Sequence, residues 1–416
     1  MEKYLINGGR KLSGKIKLQS AKNSVLPIMA GTLLTDEQVV IKNCPKIKDV
    51  LAMLKILSHL GCKWQFEGDN LILNTADAYK YSVPKELANE LRSSIFMLGG
   101  LISRFKKAQI YYPGGCDIGL RPIDLHLSSL KKLGVKTSEF DGQIFCTANE
   151  IVGNDIHLNF PSVGATENII LASVLGKGKT QIFNSAKEPE IVDLMNFLNS
   201  MGAKIYGAGT STILIEGVES LHGTEYTPIP DRIECGTYLL ATAITGGEIE
   251  LENCNAKNIS VLIHKLCDNT CKISINNDII YIKSGIEPKS FSFSTGPYPL
   301  FPTDLQAQTM SLLTVSKGNS VVVENVFEKR FSHVASLIEM GADITVKGKR
   351  AYIKGVDRLY GAHVFAKDLR GGAALVLAGL NAEGQSIVEN VEHIERGYFE
   401  LDKKFKSLGA DIIKIN

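Results

Sequence analysis

Met201-Gly202-Ala203-Lys204 returns along the chain with small changes, and its spacing decides the fold. Leu60-Gly61-Cys62-Lys63, Leu133-Gly134-Val135-Lys136, Met340-Gly341-Ala342-Asp343 and Leu408-Gly409-Ala410-Asp411 are copies; Asn269-Thr270-Cys271-Lys272 is a degenerate one. The glycine position, with Thr270 standing in, falls at 61, 134, 202, 270, 341 and 409. Self-similarity at a fixed period marks a repeated supersecondary unit. Six units of roughly seventy residues follow.

Each unit reads alike. A helix apolar nearly all round comes first, as in Ser24–Leu34, Ser93–Ile102 and Thr237–Ile244, and such a helix belongs in a core. A strand follows, for example Val39–Asn43, Gln181–Asn184 or Val321–Asn325. An amphipathic helix then stops at the signature glycine, which suits a left-handed cap. Two strands around a turn close the unit, as in Lys63–Phe66 and Leu71–Asn74 around Gly68-Asp69-Asn70.

The sixth unit ends early, since only Ala410–Asn416 follows Gly409. Tyr4-Leu5-Ile6-Asn7-Gly8 and Leu12-Ser13-Gly14 match Tyr352-Ile353-Lys354-Gly355 and Leu359-Tyr360-Gly361, so residues 1–20 are expected to close it. Three units plus three predict two similar domains, 21–229 and 1–20 with 230–416, and ligands favour such domain interfaces.

The 416 residues are 44% hydrophobic and 22% charged with a formal net charge of +2, an ordinary globular composition. Near-balance in charge gives no field to draw the chain to nucleic acid or membrane. Apolar runs near Leu26–Leu34 and Ala373–Leu380 are too short for a span, and Met1-Glu2-Lys3-Tyr4 does not begin a secretory signal, so a cytoplasmic protein is expected. The eight cysteines contain no C-x-x-C pair. His264, Cys267 and Cys271, placed on one predicted helix, lack a second ligand pair, so no metal is expected. Cys44 and Cys254 follow strand-end asparagines, and Cys62 and Cys271 follow the capping position, so they read as core filler.

One copy of the repeat is broken. Five units end their first strand with asparagine (Asn43, Asn184, Asn253, Asn325, Asn390), whereas the second has Pro113-Gly114-Gly115-Cys116. The stretch Tyr111–His126 thus joins a thiol to Arg121 on a glycine-rich loop able to act as a lid. Cys116 can give up a proton, and Arg121 offers a planar fork for phosphate or carboxylate. The starts of the apolar helices carry Lys22-Asn23, Arg92, Ser162-Val163-Gly164, Asp231-Arg232, Asp304 and Asp368-Leu369-Arg370. Helix N-termini and cations together favour anionic ligands. Taken singly, Asp231, Asp304 and Ser162 could be helix caps, and the cations solvated surface charges.

The motifs Ser20-Ala21-Lys22-Asn23, Pro113–Cys116 through Arg121–His126, Ser162–Thr166, Glu188–Asp193, Pro230–Glu234, Phe301–Gln308, Asp368–Arg370 and Glu395–Tyr398 resemble those of the UDP-N-acetylglucosamine enolpyruvyl transferases over essentially the whole chain. The resemblance implies a two-domain inside-out α/β barrel, each domain built from three similar βαβαββ-type units. It implies transfer of the enolpyruvyl group of phosphoenolpyruvate to the 3′-hydroxyl of UDP-N-acetylglucosamine, the first committed step of peptidoglycan precursor synthesis, with no cofactor.

By the same resemblance, Cys116 is the general acid and Asp304 accepts the hydroxyl proton. Lys22, Arg121 and Arg396 hold the donor, with Arg92 and Arg370 nearby. Asn23, Pro122, Ile123, Asp124, Leu125, Ser162, Val163, Gly164, Val326, Phe327 and Asp368 complete the substrate site. Phe160 stands where family members often carry a lysine; Gly371-Gly372 and Thr270 read as scaffold variation. A monomer is expected, because both domains look complete. Two other readings stay open: the sister enzyme acting on shikimate 3-phosphate, which has no thiol loop like Cys116–Arg121, and a non-catalytic nucleotide-sugar-binding paralogue.

Overall fold

The computed structural model describes residues 2–114, 118–119, 123–269, 271–285 and 287–415. The described residues divide into two compact units, one of 20–114 and 123–229, the other of 2–19, 118–119 and 230–415. Both are α/β, and in both the apolar helices are inside and the sheets outside.

In the unit around 20–229 the inner helices are Lys22–Gly31, Met97–Phe105 and Val163–Ser173. Ser24–Gly31 and Ala165–Ser173 are buried without interruption, as an all-round apolar pattern requires. The outer helices Lys48–Leu60, Asp124–Lys132 and Pro189–Ser200 bury one face only. The other unit repeats the plan with Arg232–Thr245, Gln306–Thr314 and Leu369–Asn381 inside.

Each unit has three four-stranded sheets. In one, Ser82–Val83 runs parallel to Lys107–Tyr111, which pairs antiparallel with Gln143–Thr147, itself antiparallel to Lys136–Phe140. The short strand before the inner helix creates a parallel crossover, and the repeat is βαβαββ. Reading along the chain finds the other three strands but not this one. Two or three residues, as in Ser82–Val83, Asp155–His157 or Phe293–Ser294, are too few to show a period.

These short strands tie the repeats together. Thr224–Tyr226, after the third repeat, pairs with Val39–Ile41 of the first. In the other unit Lys3–Asn7 lies between Gln385–Glu389 and Asp411–Ile415, with Ile6 opposite Ile412. Ser13–Lys17 then runs parallel to Glu248–Glu252. The first residues therefore finish the sixth repeat and also begin the fourth.

The signature glycines end the outer helices. Gly61, Gly134, Gly202, Gly341 and Gly409 have φ between 87° and 103°, a conformation that costs a side chain energy. The strand-end asparagines have a related purpose. Asn43, Asn184, Asn253 and Asn390 take φ from 51° to 59°, which asparagine tolerates better than most residues. The amides of Asn184, Asn253 and Asn325 donate to the carbonyls of Leu158, Leu18 and Thr295 at 2.8, 2.9 and 3.1 Å. Each amide clips the incoming parallel strand to its neighbour.

Two expectations need correction. Cys271 opens the strand Cys271–Asn276 instead of sharing the helix Ser260–Asn269 with His264 and Cys267. Gly372 is a packing requirement, not loose scaffold, because a Cβ there would lie 2.6 Å from Ile394 Cγ1 and 2.9 Å from Ala366 Cβ. Thr270 lies outside the described residues. The buried thiols of Cys44, Cys62, Cys146 and Cys271 are pushed up to about 12, chiefly by burial, as suits core filler.

At Gly99 two inner helices lie too close for a side chain. A Cβ would meet the Asn168 carbonyl oxygen at 2.7 Å and Leu171 Cβ at 2.8 Å. The Gly99 N–H, in the unsatisfied first turn of its helix, donates to Asn168 Oδ1 at 2.8 Å. Gly99→Ala should lower unfolding free energy by about 1–3 kcal/mol in a denaturant titration. An unchanged midpoint would mean the helices separate freely.

Candidate active site

In the unit containing 230–415, three acids at equivalent helix starts divide between two jobs. Asp231 caps Arg232–Thr245, its Oδ1 accepting from the Ile233 and Glu234 N–H groups at 2.8 and 3.0 Å. Asp368 caps Leu369–Asn381 in the same way, accepting from Arg370 and Gly371, and its Oδ2 accepts from Ser332 Oγ at 2.8 Å. Asp304 is not a cap. It sits in the short 3-10 turn Thr303–Leu305, and its side chain receives Arg330 at 2.6 Å on Oδ1 and Arg370 at 3.1 Å on Oδ2.

Both guanidiniums are buried while the Asp304 side chain is 27% exposed, so two cations hold one reachable carboxylate. Burial disfavours the Arg370 charge, but Asp304, Tyr398 and Asp231 outweigh it and hold the group in its charged form. The Tyr398 hydroxyl joins this cluster, within 3.1 Å of Arg370, 2.8 Å of Thr237 and 3.2 Å of Gln308. Arg330 carries no signal in the sequence as a site residue, and Gln308 enters only as the last residue of the Phe301–Gln308 motif. Arg330 folds back onto Thr303 and Asp304 of its own repeat, whereas Gln308 reaches Thr237 and Tyr398 of two others.

Val326 and Phe327 form a tight turn whose N–H groups donate to Glu324 Oε1 at 2.8 and 3.1 Å. The same unit includes Ile118 and Gly119. Gly119 has φ +132°, and a Cβ there would fall 2.2 Å from Glu328 Oε2, so only glycine suits the position. Arg396 ends the turn Val391–Arg396 and is half-buried.

In the other unit, Lys22 and Asn23 open their inner helix. Lys22 Nζ lies 2.7 Å from buried Asp49 in the first turn of the outer helix Lys48–Leu60. Arg92 begins the turn Arg92–Phe96 and donates to the Pro113 carbonyl at 3.4 Å. Ile123 precedes the helix on which Asp124 and Leu125 stand. Ser162 caps Val163–Ser173, Oγ accepting from Ala165 N–H at 3.3 Å, with Gly164 in its first turn. Phe160 is 46% exposed just ahead of that cap. Cys116, Arg121 and Pro122 lie outside the described residues.

His126 is a structural hydrogen-bonding residue, buried with Nδ1 at 2.8 Å from the Asn168 amide. Burial, then the Arg92 charge, lowers it to about 4; burial does the same to His333. An unfolded histidine near 6.5 binds protons that these folded ones refuse. Their contribution is therefore complete above about pH 6.5 and drains away as pH falls toward 4. Denaturation midpoints should drop across that window, and His126→Gln and His333→Gln should each flatten the slope. A wild-type slope in both variants would clear the histidines as its cause.

The family model described as EPSP synthase (3-phosphoshikimate 1-carboxyvinyltransferase) matches residues 6–405. The chain belongs to the EPSP synthase family. Among its relatives, a UDP-N-acetylglucosamine 1-carboxyvinyltransferase 2 of Caldanaerobacter subterraneus subsp. tengcongensis is 54% identical over 416 residues, covering 100% of both chains. A UDP-N-acetylglucosamine 1-carboxyvinyltransferase 1 of Clostridium perfringens is 46% identical, again over 100% of both. The enolpyruvyl transferase NikO from Streptomyces tendae, at 24% identity, shares the fold of this family member with a TM-score of 0.90 over 99% of this chain and 98% of its own. No helix among the described residues is long and apolar enough to cross a membrane.

Proposed function

We propose that this chain transfers the enolpyruvyl group of phosphoenolpyruvate to the 3′-hydroxyl of UDP-N-acetylglucosamine, releasing phosphate. The observation that carries the reading is 54% identity, end to end, to a relative named for that reaction. In this reading the protein is a cytoplasmic monomer serving peptidoglycan precursor synthesis.

The chemistry is addition followed by elimination. Cys116 delivers a proton to the methylene carbon of phosphoenolpyruvate while the acceptor oxygen attacks the adjacent carbon and Asp304 takes the hydroxyl proton. The tetrahedral ketal then loses phosphate and a methyl proton, restoring the enol double bond. Lys22, Arg121 and Arg396 hold the donor with Arg92 and Arg370, because a trianion is best stabilised by fixed cations and helix ends. Asn23, Pro122, Ile123, Asp124, Leu125, Ser162, Val163, Gly164, Val326, Phe327 and Asp368 shape the acceptor side. What supports Asp304 as the base is that its carboxylate is part-exposed and held in place by side chains while Asp231 and Asp368 are spent as caps.

Phosphate release from phosphoenolpyruvate should depend on UDP-N-acetylglucosamine. Release with shikimate 3-phosphate instead would reassign the acceptor, and nucleotide-sugar binding without any release would mark a non-catalytic paralogue.

A further inference from the structure

Glu324 lies outside every motif above, is 2% exposed, and has no catalytic geometry of its own. Its carboxylate is nonetheless a four-way junction. Oε1 accepts from the Val326 and Phe327 N–H groups at 2.8 and 3.1 Å and from Thr295 Oγ1 at 2.9 Å. Oε2 accepts from Thr303 Oγ1 at 3.0 Å. Thr303 is the residue before Asp304, and its carbonyl also receives Arg330 Nε and Nη2 at 3.2 Å. Thr295 in turn clasps Asn325, whose N–H donates to its hydroxyl at 3.0 Å and whose amide donates to its carbonyl at 3.1 Å.

One buried carboxylate thus fixes the Val326-Phe327 turn with one oxygen and the base-bearing turn Thr303–Leu305 with the other. We propose that Glu324 is a positioning residue that sets the distance between the acceptor-binding turn and Asp304, so that acceptor affinity and turnover depend on the same side chain. The inference rests on the roles given above to Val326, Phe327 and Asp304. Hydrogen bonds to a charged buried group are among the stronger ones, and its two oxygens serve different segments. A site held to fractions of an ångström needs such support, since small misplacements cost rate steeply.

Three variants separate the arms. Glu324→Ala should raise the KM for UDP-N-acetylglucosamine and lower kcat, each on the order of tenfold. Glu324→Gln should recover most of both losses, because its oxygen can keep the two N–H bonds while its amide donates to the rotatable Thr303 hydroxyl. Thr303→Val should lower kcat while sparing acceptor affinity measured by calorimetry.

Wild type that fails to bind UDP-N-acetylglucosamine would sink the functional reading and this inference with it. Wild type that binds and turns over, beside a Glu324→Ala variant with unchanged KM and kcat, would overturn this inference alone. So would equal losses in the alanine and glutamine variants, or losses in kcat matched by the unfolded fraction with KM unmoved. If the alanine variant does not fold, the glutamine and Thr303→Val pair still decides: kcat and affinity falling together in Thr303→Val would refute separate arms.

Discussion

Cys116→Ser should lose nearly all turnover, while Cys116→Asp should keep measurable activity with its optimum displaced toward acid. A general acid must be protonated at working pH and still acidic enough to release the proton in the transition state, a contribution of roughly 10²- to 10⁴-fold. A thiol, near ~8.5 in solution and lower beside cations, meets both demands. A serine hydroxyl is far too weak an acid. An aspartate is acidic enough but is mostly ionised at neutral pH unless burial raises it, so its activity should climb as pH falls.

The buried thiols sharpen the test. With Cys44, Cys62, Cys146 and Cys271 pushed up to about 12, they hold little thiolate at neutral pH. An electrophilic phosphonate epoxide shaped like the donor should therefore alkylate Cys116, faster with acceptor bound, and should not inactivate the aspartate variant. Mass spectrometry finding adducts on Cys44, Cys235 or exposed Cys267 with Cys116 untouched would defeat the assignment.

Asp304→Asn should reduce kcat by about 10²- to 10⁴-fold and leave calorimetric affinity for UDP-N-acetylglucosamine within about threefold. The amide keeps the size of the side chain and one acceptor for Arg330 or Arg370, but it cannot take the hydroxyl proton. Arg330 and Arg370 are left sharing a neutral partner, so the variant's melting temperature should be measured alongside. Turnover near the wild-type rate in a folded variant would demote Asp304 to an anchor for the two arginines. Lost affinity with a preserved rate would make it a binding group only.

Much of this was legible along the chain because it is local. The left-handed glycine caps, the all-round apolar inner helices and the period of roughly seventy residues depend on near neighbours, so reading residue by residue finds them. The asparagine at five of the strand ends was visible as a pattern, though its reason, a hydrogen bond from its side-chain amide to a strand from another part of the repeat, was not. The two- and three-residue parallel strands escaped because no period fits in so few residues.

The helix-start acids mark the boundary between the two kinds of information. In sequence, Asp231, Asp304 and Asp368 are alike: each is an acid just ahead of an apolar helix. Two of them bond to N–H groups two and three residues away, a choice local geometry can make. The third meets Arg330 and Arg370, 26 and 66 residues distant; the first encounter exists only once its own repeat has folded back on itself, the second only once separate repeats have packed. Glu324 is like the first, since Thr303 reaches it from 21 residues away within one folded repeat. Sequence by itself determined the repeat, its caps and the residue types gathered at the helix starts. Only the tertiary structure decided which of those residues are spent on the fold and which are held ready, because a side chain's partner is set by what packs against it.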